Sequence, residues 1–327
     1  MIRLITLLLL SCSLNVQASI PVNGTFQATE SCPAYLSKNS KTNPDDLTII
    51  PNQEYLLKEI NHNSPDWLRI QIPNNRNALR WVSASCGVTH YEETPHTGSC
   101  DNHPGMADSY VLALSSQPGF CKTYGFEAGK PECVKLSKSS YAASHLTLHG
   151  LWPNQDSCGQ HYGFCGATSQ PNHCDYAPVT LSTDVAENLK KLMPSYKFGS
   201  CLERHEWNKH GTCQVLSHDD YFSLAMRLAT DADQSAFGKY LTEHRGENIK
   251  LAQLRELIAK SFGAQNAGKV YLGCKNSYLV DIFIVLPALI PASEPLASLI
   301  NKAPDYHYND SCPNTVMVSD FSKESWY

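Results

Sequence analysis

Two short segments of the sequence combine histidine with tryptophan, and the first is SHLTLHGLWP at Ser144–Pro153. Because successive side chains of a strand point to opposite faces, a strand here presents His149 on one face while the leucines pack inward. Trp152 follows a glycine in a turn, and its indole offers a surface on which a flat ring can stack. The alternative is an ordinary core histidine beside a core tryptophan.

The second segment is FGSCLERHEWNKHGTC at Phe198–Cys213, and its histidine spacing excludes a zinc protease. A zinc protease helix carries His-Glu-x-x-His, with its two histidines four residues apart on one face. His205 and His210 are five apart, which separates them by roughly 140° around a helix. They therefore cannot form that metal-binding pair.

Glu206 has Lys209 three residues and His210 four residues ahead of it. Residues at these spacings are neighbours on a helix, so the three side chains cluster. A carboxylate, an ammonium and an imidazole on one face can orient and polarise an anionic substrate without a metal. The alternative is a solvated helical face with an ordinary Glu–Lys pair.

Taken together, the two segments supply what metal-free cleavage of RNA requires. One imidazole takes the proton from the ribose 2′-OH and a second protonates the departing 5′-oxygen, and the pKa of histidine suits both steps. Lysine stabilises the additional negative charge on the phosphorane-like transition state. DNA lacks the 2′-OH and cannot react in this way.

Both segments resemble the two active-site segments of the ribonuclease T2 family, in HGLWP at His149–Pro153 and HEWNKHGTC at His205–Cys213. The resemblance covers roughly residues 100–327, and it extends to Leu112–Cys121 and Leu279–Ile284. It implies a secreted, metal-independent endoribonuclease with little base preference. Such an enzyme makes 2′,3′-cyclic phosphates and then 3′-phosphates, with no metal and no cofactor.

The resemblance also implies the roles of individual residues. His149 is the expected general acid, His210 the general base, and Glu206 and Lys209 the groups that stabilise the pentavalent phosphate. The expected substrate-binding residues are His205 for the phosphate, Trp152 for stacking on a base, and Asn154. Fungal members often carry Asp at the position of Asn154, so base preference stays open here, because an amide donates as well as accepts hydrogen bonds.

The fold class implied for residues 98–327 is α+β, with a central antiparallel sheet and flanking helices. Apolar spacing predicts helices and strands in this region, and Ser182 and Ser217 are expected helix N-caps. The predicted helices are Ser182–Met193, Asp219–Leu228 and Asn248–Phe262, and the predicted strands are Lys269–Gly273 and Tyr278–Leu286.

Residues 19–97 are predicted to form a separate small all-β module, which resembles bacterial SH3-like barrels, with a polar linker at His90–Gly98. Short β-rich runs alternate with Pro and Asn turns, and a Cys32–Cys86 bridge suits so small a core. The resemblance implies a cell-wall or protein partner. The predicted strands are Leu47–Ile50, Tyr55–Leu57, Trp67–Ile72 and Leu79–Val82.

Residues 1–18 are typical of a signal peptide, with Arg3 before the apolar run Leu4–Leu10 and a small-x-small cleavage site ending at Ala18. The apolar run is too short to span a bilayer, so we expect no membrane association after cleavage. The alternative is lipid attachment at Cys12. The expected location is secreted, either extracellular or periplasmic, and the expected state is a monomer.

Cleavage leaves twelve of the thirteen cysteines, and an even number in an exported chain favours disulfides. The family resemblance implies three bridges, and the remaining cysteines of residues 98–327 would pair among themselves. The implied bridges are Cys174–Cys213, Cys274–Cys312 and Cys121–Cys133, and the remaining cysteines are Cys100, Cys158, Cys165 and Cys201.

Composition limits the alternatives. With 42% hydrophobic and 17% charged residues, the chain is neither disordered nor collagen-like. Its formal charge of −5 excludes a general electrostatic attraction for phosphates, so RNA must be held locally. Two other classes stay open, which are a catalytically weak RNA-binding protein on the same fold and an adhesion protein acting through residues 19–97.

Overall fold

The structure is a computed structural model that describes residues 19–43, 46–73, 75, 79–93, 102–155, 158, 161–305 and 309–321. The predicted signal peptide lies outside the described residues. One compact unit lies within residues 1–97 and a second within residues 98–327, apart from the stretch 74–77, which is grouped with the second. Within the described ranges, no helix is long and apolar enough to cross a membrane.

The first unit is built on a five-stranded antiparallel sheet with the strand order β4-β3-β2-β1-β5. In β3, Leu68 and Ile70 are buried, whereas the alternating residues Trp67, Arg69 and Gln71 are partly exposed. The predicted alternation is therefore confirmed. The Cys32–Cys86 bridge is confirmed as well. The strands are β1 (Ile20–Ala28), β2 (Glu54–Ile60), β3 (Trp67–Gln71), β4 (Leu79–Ser83) and β5 (Gly87–Glu93).

Two predictions for this unit were wrong. The run Leu47–Ile50 is not a strand, because only Thr48 forms a bridge there, to Pro33. The predicted linker begins too early, because His90–Glu93 continue β5 and pair with β1. The ladder with β1 supplies backbone partners that a polar composition does not reveal. The identification of this unit as SH3-like stays a prediction.

The second unit is a mixed α+β fold around a sheet with the order β7-β6-β10-β11-β8, and β9 also pairs with β10. All pairs are antiparallel except β10 with β11. The prediction of an antiparallel central sheet is therefore confirmed, with one parallel exception. The strands are β6 (Ser109–Ser115), β7 (Thr147–Asn154), β8 (Glu247–Lys250), β9 (Val270–Lys275), β10 (Tyr278–Pro287) and β11 (Thr315–Val318).

Helices flank this sheet, and the predicted ones recur with changed limits. The side chain of Ser217 accepts a hydrogen bond from the Asp220 N–H, which confirms this N-cap. The third predicted helix begins too early, because Glu247–Lys250 pair with β11 instead. The helices are α1 (Gln117–Phe120), α2 (Pro131–Lys135), α3 (Thr183–Leu192), α4 (Pro194–Phe198), α5 (Leu202–Lys209), α6 (His218–Gln234), α7 (Ala236–Glu243), α8 (Leu251–Phe262) and α9 (Leu296–Lys302).

The core of the second unit forms where α6 covers the sheet. Leu112 of β6, Ile282 of β10 and Phe222 of α6 belong to one buried cluster. Each such side chain contributes about 1.5–3 kcal/mol through burial. This packing gives β7 and β10 a rigid support at the centre of the sheet.

Four disulfides between described residues hold the second unit. The implied Cys174–Cys213 bridge was wrong, and so was the expectation that Cys165 and Cys201 pair within the four remaining cysteines. Cys121–Cys133 and Cys274–Cys312 are confirmed, whereas Cys213 pairs with Cys165, and Cys174 with Cys201. Cys201 and Cys213 lie beyond opposite ends of α5, whose eight residues span about 12 Å. The Arg204 guanidinium, in the first turn of α5, donates to the Cys174 carbonyl at 3.2 Å and keeps Cys174 near Cys201. Cys158 is also disulfide-bonded, and Cys100 lies outside the described residues.

Candidate active site

His149 lies at an irregularity of β7. The strand pairs Leu148 with Leu114 and Gly150 with Ala113, which leaves His149 as an additional residue between the two pairs. Such a bulge bends the strand and changes the alternation of its side chains. His149 and Trp152 consequently come together although they are three residues apart, and their rings meet edge to face at 5.3 Å and 83°.

Glu206, on α5, connects these two side chains. It is fully buried, and its Oε2 accepts a hydrogen bond of 2.7 Å from the Trp152 Nε1–H. Its Oε1 lies 3.8 Å from His149 Nε2. Only glycine fits at position 150, because a Cβ there would lie 1.8 Å from Glu206 Oε2.

His210 immediately follows α5, and its N–H donates to the Glu206 carbonyl at 3.0 Å. Its ring is almost buried and stacks on Trp152, with centroids 5.2 Å apart and an angle of 22°. Trp152 therefore meets the His149 ring edge to face and stacks on the His210 ring. The two histidines predicted as acid and base therefore contact the same indole.

The chain turns sharply after α5, and this turn fixes His210. A Cβ at Gly211 would lie 2.4 Å from a ring carbon of Trp207, so glycine permits the close passage. The Lys209 carbonyl accepts the Phe164 N–H at 2.8 Å. The Cys165–Cys213 bridge then joins the same two segments covalently.

His205 lies on α5 and stacks on His173, with centroids 4.3 Å apart. Its ring also meets that of His210 edge to face at 6.4 Å. The structure thus brings His205 to the predicted centre, and it adds His173, which sequence reasoning missed. Nothing in the spacing of His173 singles it out, because it approaches from a separate loop.

The structure places Asn154 at the last position of β7, where its backbone carbonyl accepts the Asp108 N–H at 2.8 Å. Its side chain is partly exposed. Stacking of Trp152 on a base and contact of Asn154 with a base both stay predictions, since the described contact of the Trp152 face is with His210.

The environment raises the pKa of His149. Burial lowers the pKa of this ring, but the neighbouring carboxylate of Asp281 and the negative charge of Glu206 outweigh that effect. Burial also raises the pKa of Glu206 to about 7, against the opposing effects of His149, Trp152 and Lys209. These two groups share their surroundings, so they titrate as a coupled pair.

The same site lowers the pKa of the other two histidines. Burial, followed by the charge of Lys209, holds the pKa of His210 well below its usual value. Burial together with His173 and Lys209 lowers the pKa of His205 to about 4. The site therefore shifts His149 toward its charged form and His210 toward its neutral form.

Asp281 of β10 is the second site residue that the sequence did not indicate. Its Oδ1 lies 3.6 Å from His149 Nδ1. A signal was present, because Asp281 is the one charged residue within the predicted apolar strand Tyr278–Leu286.

A cleft of about 400 Å³ opens beside His149. Its lining includes Asp281 and His173 together with Ser195 and Leu202. A larger cavity of about 540 Å³ includes His145 but none of the predicted site residues. The smaller cleft is therefore the space in which a substrate can reach His149.

Residues 107–291 match the sequence profile of the Ribonuclease T2 family. "Ribonuclease I" of Escherichia coli (strain K12) is 32% identical over 205 residues, which cover 56% of this chain and 76% of that protein. "Ribonuclease T2" of Aspergillus oryzae is 32% identical over 126 residues, covering 35% and 39% of the two chains. Among solved structures, "ribonuclease MC1 from the seeds of bitter gourd" aligns with a TM-score of 0.45 and 20% identity, over 64% of this chain and 99% of that one.

Proposed function

Since this chain belongs to the ribonuclease T2 family, it is an endoribonuclease acting on RNA, and we propose that it cleaves single-stranded RNA by 2′-OH transphosphorylation. The products are 2′,3′-cyclic phosphates and then 3′-phosphates, formed without a metal and with little base preference. The observation that carries this proposal is the opposite pKa shift of His149 and His210 around Trp152. Groups with pKa values moved apart are suited to act as acid and base.

In the proposed reaction His210 takes the proton from the ribose 2′-OH. The lowered pKa of His210 keeps its ring neutral, so it can accept a proton at neutral pH. The 2′-oxygen bonds to phosphorus as the bond to the 5′-oxygen breaks. His149, charged because its pKa is raised, gives its proton to the departing 5′-oxygen.

Lys209 and Glu206 stabilise the phosphorane-like transition state in this proposal. Lys209 lowers the pKa of both His205 and His210 electrostatically, so its positive charge acts within the site. A negative carboxylate would repel a phosphate, but the pKa of about 7 allows Glu206 to carry a proton. Among the described residues its Oε1 has no hydrogen-bond partner, and in this proposal the protonated group donates there to a phosphoryl oxygen.

His205, Trp152 and Asn154 are the proposed substrate contacts. Stacking between His205 and His173 holds the His205 ring in place for a phosphate. Trp152 and Asn154 lie toward the end of β7 and are partly exposed, as contacts to a base require.

Digestion of a defined RNA in EDTA tests the reaction, with product ends read by mass. We expect a cyclic phosphate from the unmodified protein and its loss in His149→Ala and His210→Ala. A variant at an exposed histidine of the first unit, His62→Ala, is the matched control. Cleavage that EDTA abolishes, or 5′-phosphate products, would contradict the proposal.

We also infer that residues 1–18 are a signal peptide and that the mature protein is secreted, with a module at 19–97 and a catalytic domain at 98–327. Disulfides are typical of exported proteins and support this location. The first unit, inferred to be SH3-like, would bind a cell-wall or protein partner, while the chain stays a monomer. Comparing binding of the full chain and of residues 98–327 to isolated cell walls tests this module.

A further inference from the structure

Asp281 is held in a defined place by the sheet. It pairs with Ser115 of β6 on one side and with Gly273 of β9 on the other. The Ser115 hydroxyl donates to Asp281 Oδ1 at 3.2 Å. A Cβ at Gly273 would lie 3.1 Å from the Cβ of Asp281, so the glycine leaves the room this side chain needs.

This fixed carboxylate faces one end of the His149 ring. Asp281 Oδ1 lies 3.6 Å from His149 Nδ1, whereas Nε2 at the other end faces Glu206 Oε1 at 3.8 Å. An imidazole between two such groups presents a defined nitrogen to each, because a proton on Nδ1 is held by the carboxylate beside it. The side chain of Asp281 is one-quarter exposed and that of His149 about one-third, so both border the cleft.

We propose that Asp281 is a positioning residue that orients the ring of His149 and keeps it protonated for transfer of the Nε2 proton to the leaving 5′-oxygen. The inference rests on the proposed role of His149 as general acid. Asp281 itself need not touch the substrate, since it acts through Nδ1 of His149.

Groups of both signs act on His149, and their balance supports this role. Asp281 from β10 and Glu206 from α5 favour the charged ring, whereas Lys209 from α5 opposes it. The rings of His173, His205 and His210 interact with His149 electrostatically, but each of these three has a lowered pKa and so stays neutral at neutral pH. The neighbouring carboxylate of Asp281 is the largest influence that raises the pKa of His149.

The variant Asp281→Asn tests the proposal because it keeps the size of the side chain and an oxygen that can accept from Ser115. We expect the His149 pKa, followed by NMR of the ring protons, to fall by about one unit, which is about a tenfold loss of imidazolium above both values. The basic limb of the kcat profile should shift with it, so that kcat falls about tenfold at pH 8 and little at pH 5.5. Asp281→Glu should restore part of the shift.

Asp184→Asn is the matched control, because it removes the same charge at an exposed position in the first turn of α3. Equal losses of kcat at every pH in Asp281→Asn, with the pKa of His149 unchanged, would overturn the proposal and leave Asp281 a structural residue. The variant His149→Ala tests the proposed acid role of His149 separately. If that variant cleaves RNA normally, the acid role of His149 falls, and the role of Asp281 falls with it.

Discussion

His149 and His210 contact the same indole, yet their surroundings drive their protonation in opposite directions. His149 lies on a strand between the carboxylates of Glu206 and Asp281, which raises its pKa against the effect of burial. His210 lies at the end of a helix, almost buried and close to the cation Lys209, and its pKa is lowered. In the proposed reaction these chemically identical side chains thus act as proton donor and proton acceptor.

The comparison shows that the pKa shift of each histidine depends on the strand or helix that positions it rather than on its sequence motif. The bulge of β7 directs His149 toward β10, where the only charged side chain of that strand lies. The helix α5 places Glu206 one turn before His210 and Lys209 directly before it. The sequence motifs supply the residues of the site. The strand and the helix that carry them then determine the direction in which the pKa of each imidazole is shifted.

Removing either ring should produce the largest effect. We expect His149→Ala and His210→Ala each to lower kcat by about 10²–10⁴, the usual contribution of a general acid or base. The double variant should lose little more, because groups that act as one unit are not additive. Rates of cyclic phosphate formation, with circular dichroism to confirm folding, measure this. A full rate in either single variant would remove that histidine from the mechanism.

The sequence predicted which residues meet, but not how the backbone brings them together. Helical spacing correctly grouped Glu206 with His210, because a regular helix makes that grouping local. The bulge at His149 depends on pairing with β6, and Asp281 lies more than a hundred residues away in the chain. Local sequence patterns do not reveal such long-range contacts. The Cys174–Cys213 bridge was wrong for the same reason, because Cys174 pairs with Cys201 before α5, whereas Cys213 lies beyond the other end of this helix.

Gly150→Ala should disturb both histidines at once. The added Cβ would lie 1.8 Å from Glu206 Oε2 and 2.6 Å from Trp152 Nε1, so the carboxylate must move away. We expect kcat to fall by about 10²-fold, comparable to removal of a transition-state donor. In a Glu206→Ala background the same substitution should cost much less. An equal loss in both backgrounds would mean that Gly150 acts through something other than Glu206.

Glu206→Gln separates activity from stability. The pKa of Glu206 rises to about 7 on folding, so the folded state prefers the protonated form, and the wild type loses stability as pH rises from about 4.5 through 7. Glutamine cannot ionise, so the variant should be the more stable protein at pH 8, by about 2–3 kcal/mol. The two should unfold alike near pH 4, while kcat falls about tenfold in the variant.

Urea unfolding at pH 4, 6 and 8 measures this difference. Glu187→Gln is the control, because Glu187 is exposed and pairs with Lys190 at the surface. A stability difference between Glu206→Gln and wild type that does not change with pH would show that the buried carboxylate is already paired in full by His149. The pKa values of His149 and His210 would then differ less than the comparison of the two residues requires.

Trp152→Phe should have the smallest effect, because it keeps an aromatic ring in contact with both histidines and removes the hydrogen bond to Glu206. The loss of about 1 kcal/mol for one hydrogen bond corresponds to about a fivefold lower kcat. The pKa of Glu206 should rise further, since this bond lowers it. Trp207→Phe is the matched control on α5, because that indole packs against His218 and Tyr221 instead. A loss as large as that of His210→Ala would mean that the indole, through its stacking on His210, determines the state of the base more than Lys209 does.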